Sequence, residues 1–145
     1  MESNNLKWLY LDFNSYFATI EQQVRPGLRK KPIAIVPSIT DYTCAIAASY
    51  EAKKLGIKTG TMIHEAKKRC PDLICVQADH EKYIYYHHKL VKEISKHIPV
   101  EQVCSIDEVA CRLLGKECDP KIIVSKAIAI KKNIKKNIGD YISCS

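Results

Sequence analysis

Two strand-length apolar runs, residues 100–106 and 109–114, stand back to back between two long amphipathic segments, and this arrangement limits the fold more than any other feature. From Asp79 onward, Tyr83, Ile84, His87, Leu90, Val91, Ile94 and Ile98 recur at steps of three and four. That spacing predicts one helix over 80–97, stopped by Pro99. Asp119-Pro120 supplies a cap and a first-turn proline for a second helix with Ile123, Ala127, Ile130 and Ile134 on its apolar face and Gly139 at its end. Residues 8–11, Trp-Leu-Tyr-Leu, read as a buried strand, and 141–145 as the start of another. With 14–78 treated as an insertion, the order is strand, helix, strand, strand, helix, strand. The expected fold is therefore α/β (α+β), a split βαββαβ unit with a small inserted lobe.

That topology has a geometric consequence. The first and second strands of such a unit run parallel, with the third antiparallel between them. The C-terminal end of the first strand then lies at the same end of the sheet as the hairpin between the second and third. Asp12 sits at one and Asp107-Glu108 at the other, and neighbouring strands are about 4.8 Å apart. Three clustered carboxylates repel one another unless cations neutralise them, and hard oxygen ligands of this kind suit Mg²⁺. Two such ions provide chemistry for phosphoryl or nucleotidyl transfer. The plainer alternatives are that Asp12 only ends a strand and that Asp107-Glu108 is a solvated turn. Glu is poorly suited to a tight two-residue turn, where Gly or Asn supplies positive φ. After Asp12, Asn14 or Ser15 is the expected N-cap of a helix that runs to Arg25-Pro26-Gly27.

A chain of 145 residues provides one modest core or two small lobes. Lys and Arg outnumber Asp and Glu by 23 to 16, a net charge of +7, which favours an anionic partner such as nucleic acid, nucleotide or anionic lipid. No run of about 18 apolar residues is present and residues 1–5 lack the shape of a signal peptide, so a cytoplasmic protein with no membrane association is expected. Seven cysteines without a Cys-x-x-Cys pair suit reduced thiols rather than zinc or a disulfide framework. His87 and His88 read as surface or half-buried fillers of a helix. Within the insertion, 33–36 and 43–48 resemble strands. Residues 49–55 resemble a short helix ended by Gly56, and 61–69 a helix capped by Thr61 and stopped by Pro71.

Three stretches together carry a resemblance. Leu11-Asp-Phe-Asn-Ser-Tyr-Phe-Ala18, Ser49-Tyr-Glu-Ala-Lys-Lys-Leu-Gly-Ile-Lys-Thr-Gly60 and Cys104-Ser-Ile-Asp-Glu-Val109 resemble, in order and at compatible intervals, the opening, fingers and Ser-x-Asp-Glu motifs of Y-family (UmuC-type) translesion DNA polymerases. The resemblance covers residues 9–145. It implies a palm made of 1–13 and 79–145 and a fingers lobe of 14–78. It implies that Asp12, Asp107 and Glu108 are catalytic and hold two Mg²⁺, with the Phe13 carbonyl as a further ligand. Phe17, following Tyr16, is implied as the steric gate against a ribose 2′-hydroxyl, and Tyr50 with Lys53 as the triphosphate-binding pair. The implied partners are dNTP and primer-template DNA, and the implied setting is DNA damage repair and the SOS response. A replication clamp would be met through C-terminal regions beyond this sequence.

The sequence departs from the family pattern at three points. Lys53 stands where the family carries Arg, keeping charge but losing the planar fork. Ala47 stands where a triphosphate-binding Thr is common. Thumb and little-finger domains do not fit within 145 residues, so the isolated chain is expected to be inactive. Basic residues 53, 54, 58, 67, 68 and 69 would add phosphate attraction, whereas Lys131, Lys132, Lys135 and Lys136 read as a solvated helix face. Two other readings share the fold: a non-catalytic accessory of a repair complex, and a cyclase-like nucleotidyl enzyme.

Overall fold

The structure is a computed structural model describing residues 5–145; residues 1–4, part of the expected 1–13 segment, lie outside the described residues. In chain order the elements are β1 (Trp8–Asp12), α1 (Tyr16–Val24), β2 (Ile33–Val36), β3 (Ala47–Ala48), α2 (Tyr50–Lys53), α3 (Ile63–Arg69), β4 (Ile74–Gln77), α4 (His80–Ser95), β5 (Gln102–Ser105), β6 (Glu108–Arg112) and α5 (Pro120–Asn137). Short 3₁₀ turns lie at Pro26–Leu28 and Gly115–Cys118. The chain divides into two compact units. One runs to Asn14 and resumes over Ile84–Ser145; the other is Ser15–Tyr83. No helix among the described residues is long and apolar enough to cross a membrane.

The first unit has the expected topology. Its sheet order is β1-β6-β5, with β6 antiparallel to both neighbours, so β1 and β5 run parallel. Strand alternation puts Leu11 and Phe13 on one face and Trp8, Tyr10 and Asp12 on the other. Leu11, Phe13, Val109, Cys111 and Leu113 are buried, as are Leu90, Ile94, Ile123, Ile130 and Ile134 from the helices and Ile98 just after α4, whereas Trp8 and Tyr10 are exposed. One face of the sheet thus forms the core and the other stays open, as antiparallel sheets permit. Asp119 caps α5 by accepting from the Lys121 N–H at 2.9 Å, with Pro120 in the first turn. The last residues start a further pairing on the free edge of β1: Asp12 and Ser145 exchange backbone hydrogen bonds of 2.9 and 2.8 Å.

The hairpin differs from expectation by one residue. The turn is Ile106 and Asp107, and Glu108 already belongs to β6, paired across from Asp12. The glutamate therefore never meets the φ demand of a tight turn, and its side chain shares the open face with Asp12.

The second unit is built of shorter pieces around a sheet of order β3-β2-β4, with β2 antiparallel to β3 and parallel to β4. All four residues of β2 are buried, and Ala34, Val36, Ala48, Ala52, Ile57, Ile63, Ala66 and Leu73 share its core. Four expectations change here. The strand over 43–48 shrinks to Ala47–Ala48 plus an isolated bridge between Cys44 and Met62. The helix expected from Thr61 starts at Ile63, because the Thr61 hydroxyl instead accepts from the Lys58 N–H at 3.0 Å. β4 has no counterpart in the sequence reading. Ser15 does occupy the N-cap position of α1, but in the left-handed region (φ 46°) and without a capping hydrogen bond.

Candidate active site

The first unit brings the three acids together. Asp12 ends β1, Glu108 opens β6 opposite it, and Asp107 closes the turn between β5 and β6. Each offers an oxygen such that all three lie within 4.8 Å of one another. Asp12 and Glu108 are exposed and Asp107 is half-buried. Two unit charges at 4.8 Å repel by about 0.9 kcal/mol even at the dielectric constant of water. The arrangement favours occupancy by a cation. The donors are carboxylate oxygens without thiolate or imidazole, a set that fits a hard divalent ion such as Mg²⁺. Asp107 is oriented twice: the Ser105 hydroxyl donates to its carboxylate at 2.7 Å, and the Phe13 N–H donates to its carbonyl at 2.9 Å. Phe13 thereby buttresses the acids through its backbone while its ring is buried in the core.

The other sequence-derived residues, Phe17, Tyr16, Tyr50 and Lys53, all lie in the second unit. Phe17 is half-buried, and its ring stacks on Tyr83 with centroids 4.4 Å apart and planes 14° from parallel. The Tyr16 side chain is turned inward: 4 % of the residue is exposed, and its hydroxyl donates to the Tyr83 carbonyl at 2.7 Å. Tyr50 and Lys53 are one helical turn apart and exposed, on a helix whose N-cap, Ser49, accepts from the Ala52 N–H at 3.2 Å. The Lys54 ammonium lies 4.7 Å from the centre of the Tyr50 ring, and Lys53 donates to the Ser15 hydroxyl at 2.9 Å. Among the other basic residues of this lobe, Lys67 is paired with Asp41, and Arg69 donates to the Gly56 carbonyl.

Beneath Phe17 lies a network that periodicity alone does not reveal. Glu21 is fully buried on α1 and accepts from the Tyr83 hydroxyl at 3.0 Å, from Lys82 at 3.1 Å and from Arg25 at 2.8 Å. Burial, with the Glu21 carboxylate adding to it, pushes the Tyr83 phenol well above its ordinary range, so it remains a donor. The signal available in the sequence was Glu21 itself, a charge set among the apolar residues of α1 with Arg25 one turn on.

Comparison with known proteins bears on this geometry. The model of the impB/mucB/samB family matches residues 11–145. The chain belongs to this family. Among curated relatives, DNA polymerase IV of Dehalococcoides mccartyi (strain CBDB1) is 30% identical over 131 residues, 90% of this chain and 34% of that protein. DNA polymerase IV of Moorella thermoacetica is 31% identical over 141 residues, 96% of this chain and 35% of that protein. This member of the family therefore spans about a third of the length of those relatives. The crystal structure of DinB from Sulfolobus solfataricus superposes with a TM-score of 0.87 at 26% identity, covering 97% of this chain and 41% of that one. A Y-family DNA polymerase chimera gives 0.88 at 26% identity with the same coverage. The likeness falls on the N-terminal portion of these polymerases, and the Y-family resemblance read from the three motifs is borne out.

Proposed function

We propose that the chain forms the palm and fingers of a translesion DNA polymerase that acts in the cytoplasm on damaged DNA, adding deoxynucleotides from dNTP to a primer 3′-hydroxyl. The observation that carries this reading is the convergence of Asp12, Asp107 and Glu108 within 4.8 Å at the ends of adjacent strands. The division of the chain at Asn14 and Tyr83 supports assigning the first unit to the palm and the second to the fingers. A solved relative titled an insertion ternary complex of Dbh DNA polymerase, with a TM-score of 0.85 and 28% identity, supports DNA and nucleotide as substrates.

In this reading the three carboxylates, with the Phe13 carbonyl, hold two Mg²⁺, which supply activation of the primer hydroxyl and neutralisation of the triphosphate. Ser105 keeps the Asp107 carboxylate turned toward the site. Phe17, backed by Tyr83, closes the space that a ribose 2′-hydroxyl needs. Tyr50 donates a hydroxyl and Lys53 a point charge to the triphosphate, where Arg would bind in a bidentate fashion. The inward turn of the Tyr16 side chain leaves its backbone, in the first turn of α1, as its contribution at the positive end of a helix dipole.

The test is to graft this chain in place of the corresponding third of a DNA polymerase IV relative and follow primer extension. Asp107→Ala and Asp12→Ala should each lower incorporation by about 10²–10³-fold or more, the scale of losing a transition-state electrostatic group. Near-normal extension by either variant would refute the assignment. Conversion of a single nucleoside triphosphate without primer-template would point instead to a cyclase-like enzyme.

A further inference from the structure

The hairpin that carries Asp107 and Glu108 is not self-supporting. Two-residue connections between antiparallel strands favour turns with positive φ, because those match the right-handed twist of the strands. Ile106 and Asp107 form this turn, and neither has positive φ. β5 is irregular between Val103 and Ser105, just before the turn, and all four of its residues are exposed. Packing of β5 therefore does little to fix the turn: Glu108 is registered by its pairing with Asp12, whereas the position of Asp107 depends on braces. Phe13, just past β1, supplies one and the Ser105 hydroxyl a second. A third comes from α4, where His87 Nδ1 lies 2.7 Å from the Ile106 carbonyl, immediately before Asp107.

We propose that His87 is a positioning residue, anchoring the Ile106 carbonyl to α4 and so holding Asp107 where its carboxylate meets those of Asp12 and Glu108. This rests on the reading of those acids as a divalent-cation site. A carbonyl only accepts, so the proton is on Nδ1 and the ring donates. The helix behind it is a firm support: Leu90 and Ile94, one and two turns further along α4, are fully buried. Mg²⁺ demands near-ideal octahedral geometry at about 2.0–2.1 Å. A turn free to shift by a fraction of that distance would lose ligands, so a bond that immobilises the residue before Asp107 acts directly on cation affinity. The helical periodicity that marks His87 as a filler carries no information about its Nδ1.

The test is Mn²⁺ titration of the 145-residue chain, with free Mn²⁺ read by electron paramagnetic resonance and thermal unfolding followed on the same samples. His87→Ala should weaken Mn²⁺ binding by about tenfold or more, the usual consequence of removing a group that orients a ligand. His87→Asn places an amide nitrogen where Nδ1 stands and should restore affinity. His87→Gln places it near the Nε2 position and should not. Unchanged affinity in His87→Ala, or equal affinities for the Asn and Gln variants, would overturn the proposal. If the Ala variant does not fold, the Asn and Gln pair decides. Asp107→Asn separates the two levels: if it binds Mn²⁺ as the wild type does, the cation site itself is wrong, whereas lost binding there with unchanged His87 variants rejects only the role of His87.

Discussion

Phe17 is held by residues buried away from solvent. Its ring lies 4.4 Å from that of Tyr83, and Tyr83 is fixed in turn through its hydroxyl on Glu21. A side chain braced in this way works as a wall, because its rotamer cannot yield to an incoming hydroxyl without disturbing a buried carboxylate. Phe17→Ala in the grafted polymerase should therefore admit ribonucleotides, shifting the deoxy-to-ribo preference by about 100-fold, the scale at which lost packing relaxes selection by size. An unchanged preference in paired single-nucleotide incorporation assays would remove Phe17 from the role. At this scale the sequence was informative where residue type and strand order together place a group, as with the convergence of Asp12, Asp107 and Glu108. It was silent where meaning lies in a polar atom inside the core. Glu21, Tyr83 and His87 all lie on helix faces whose periodicity reports burial, and burial does not say to which group a buried atom is bonded.

The long helices were legible because α4 and α5 run for 16 and 18 residues, long enough for the 3.6-residue repeat to show. The second unit was legible only in part: the strand at Ile33–Val36 and the helices Tyr50–Lys53 and Ile63–Arg69 fall within the expected stretches, but elements of nine residues or fewer leave their ends, and β4, unmarked. β4 was missed because it is a short apolar stretch, and its strand character comes from parallel pairing with β2, far away in sequence. A polar contact also links the long helices. Glu93 on α4 is 3 % exposed and accepts from Asn137 of α5 at 2.9 Å and from Lys96 at 3.0 Å. The Asn137 hydrogen bond foremost, with Lys96 and His97 assisting, holds its carboxyl below the ordinary value of 4.5. A lowered folded-state pKa means that the unfolded chain binds more protons in this range. The stabilisation is thus complete above about pH 4.5 and disappears as pH falls through the folded value. Thermal midpoints of the wild-type chain should therefore drop on acidification in that window, and those of Glu93→Gln should drop less. Coincident acid profiles for the two proteins would show that Glu93 contributes nothing to the joint between α4 and α5.

For the molecule as a whole, the sequence-derived boundaries after residues 13 and 78 compare with a division after Asn14 and Tyr83. The difference arises because α4 is one helix by periodicity, while its first turn, with His80 and Tyr83 against Phe17, packs with the second unit. Asp12, Asp107 and Glu108 lie in the first unit, and Phe17, Tyr50 and Lys53 in the second. Cation binding by the acids therefore requires nothing outside the first unit, whereas chemistry on a primer requires much more. Holding a primer terminus in line with an α-phosphate is worth many powers of ten in rate, with effective molarities of about 10⁵–10⁸ M for well-oriented groups. A chain aligned with 34% of a DNA polymerase IV relative carries the three acids, and the proposed nucleotide contacts, without the remaining two-thirds of that protein. The 145-residue polypeptide, expressed by itself, should bind Mn²⁺ through Asp12, Asp107 and Glu108 yet extend a primer no faster than its Asp107→Ala variant. Grafting it onto the rest of a relative should restore extension that depends on Asp107. Processive, Asp107-dependent synthesis by the polypeptide alone would mean that the duplex is gripped by surfaces within these two units, and the open face of the β1-β6-β5 sheet, with Trp8 and Tyr10 exposed beside Asp12, would be the place to look.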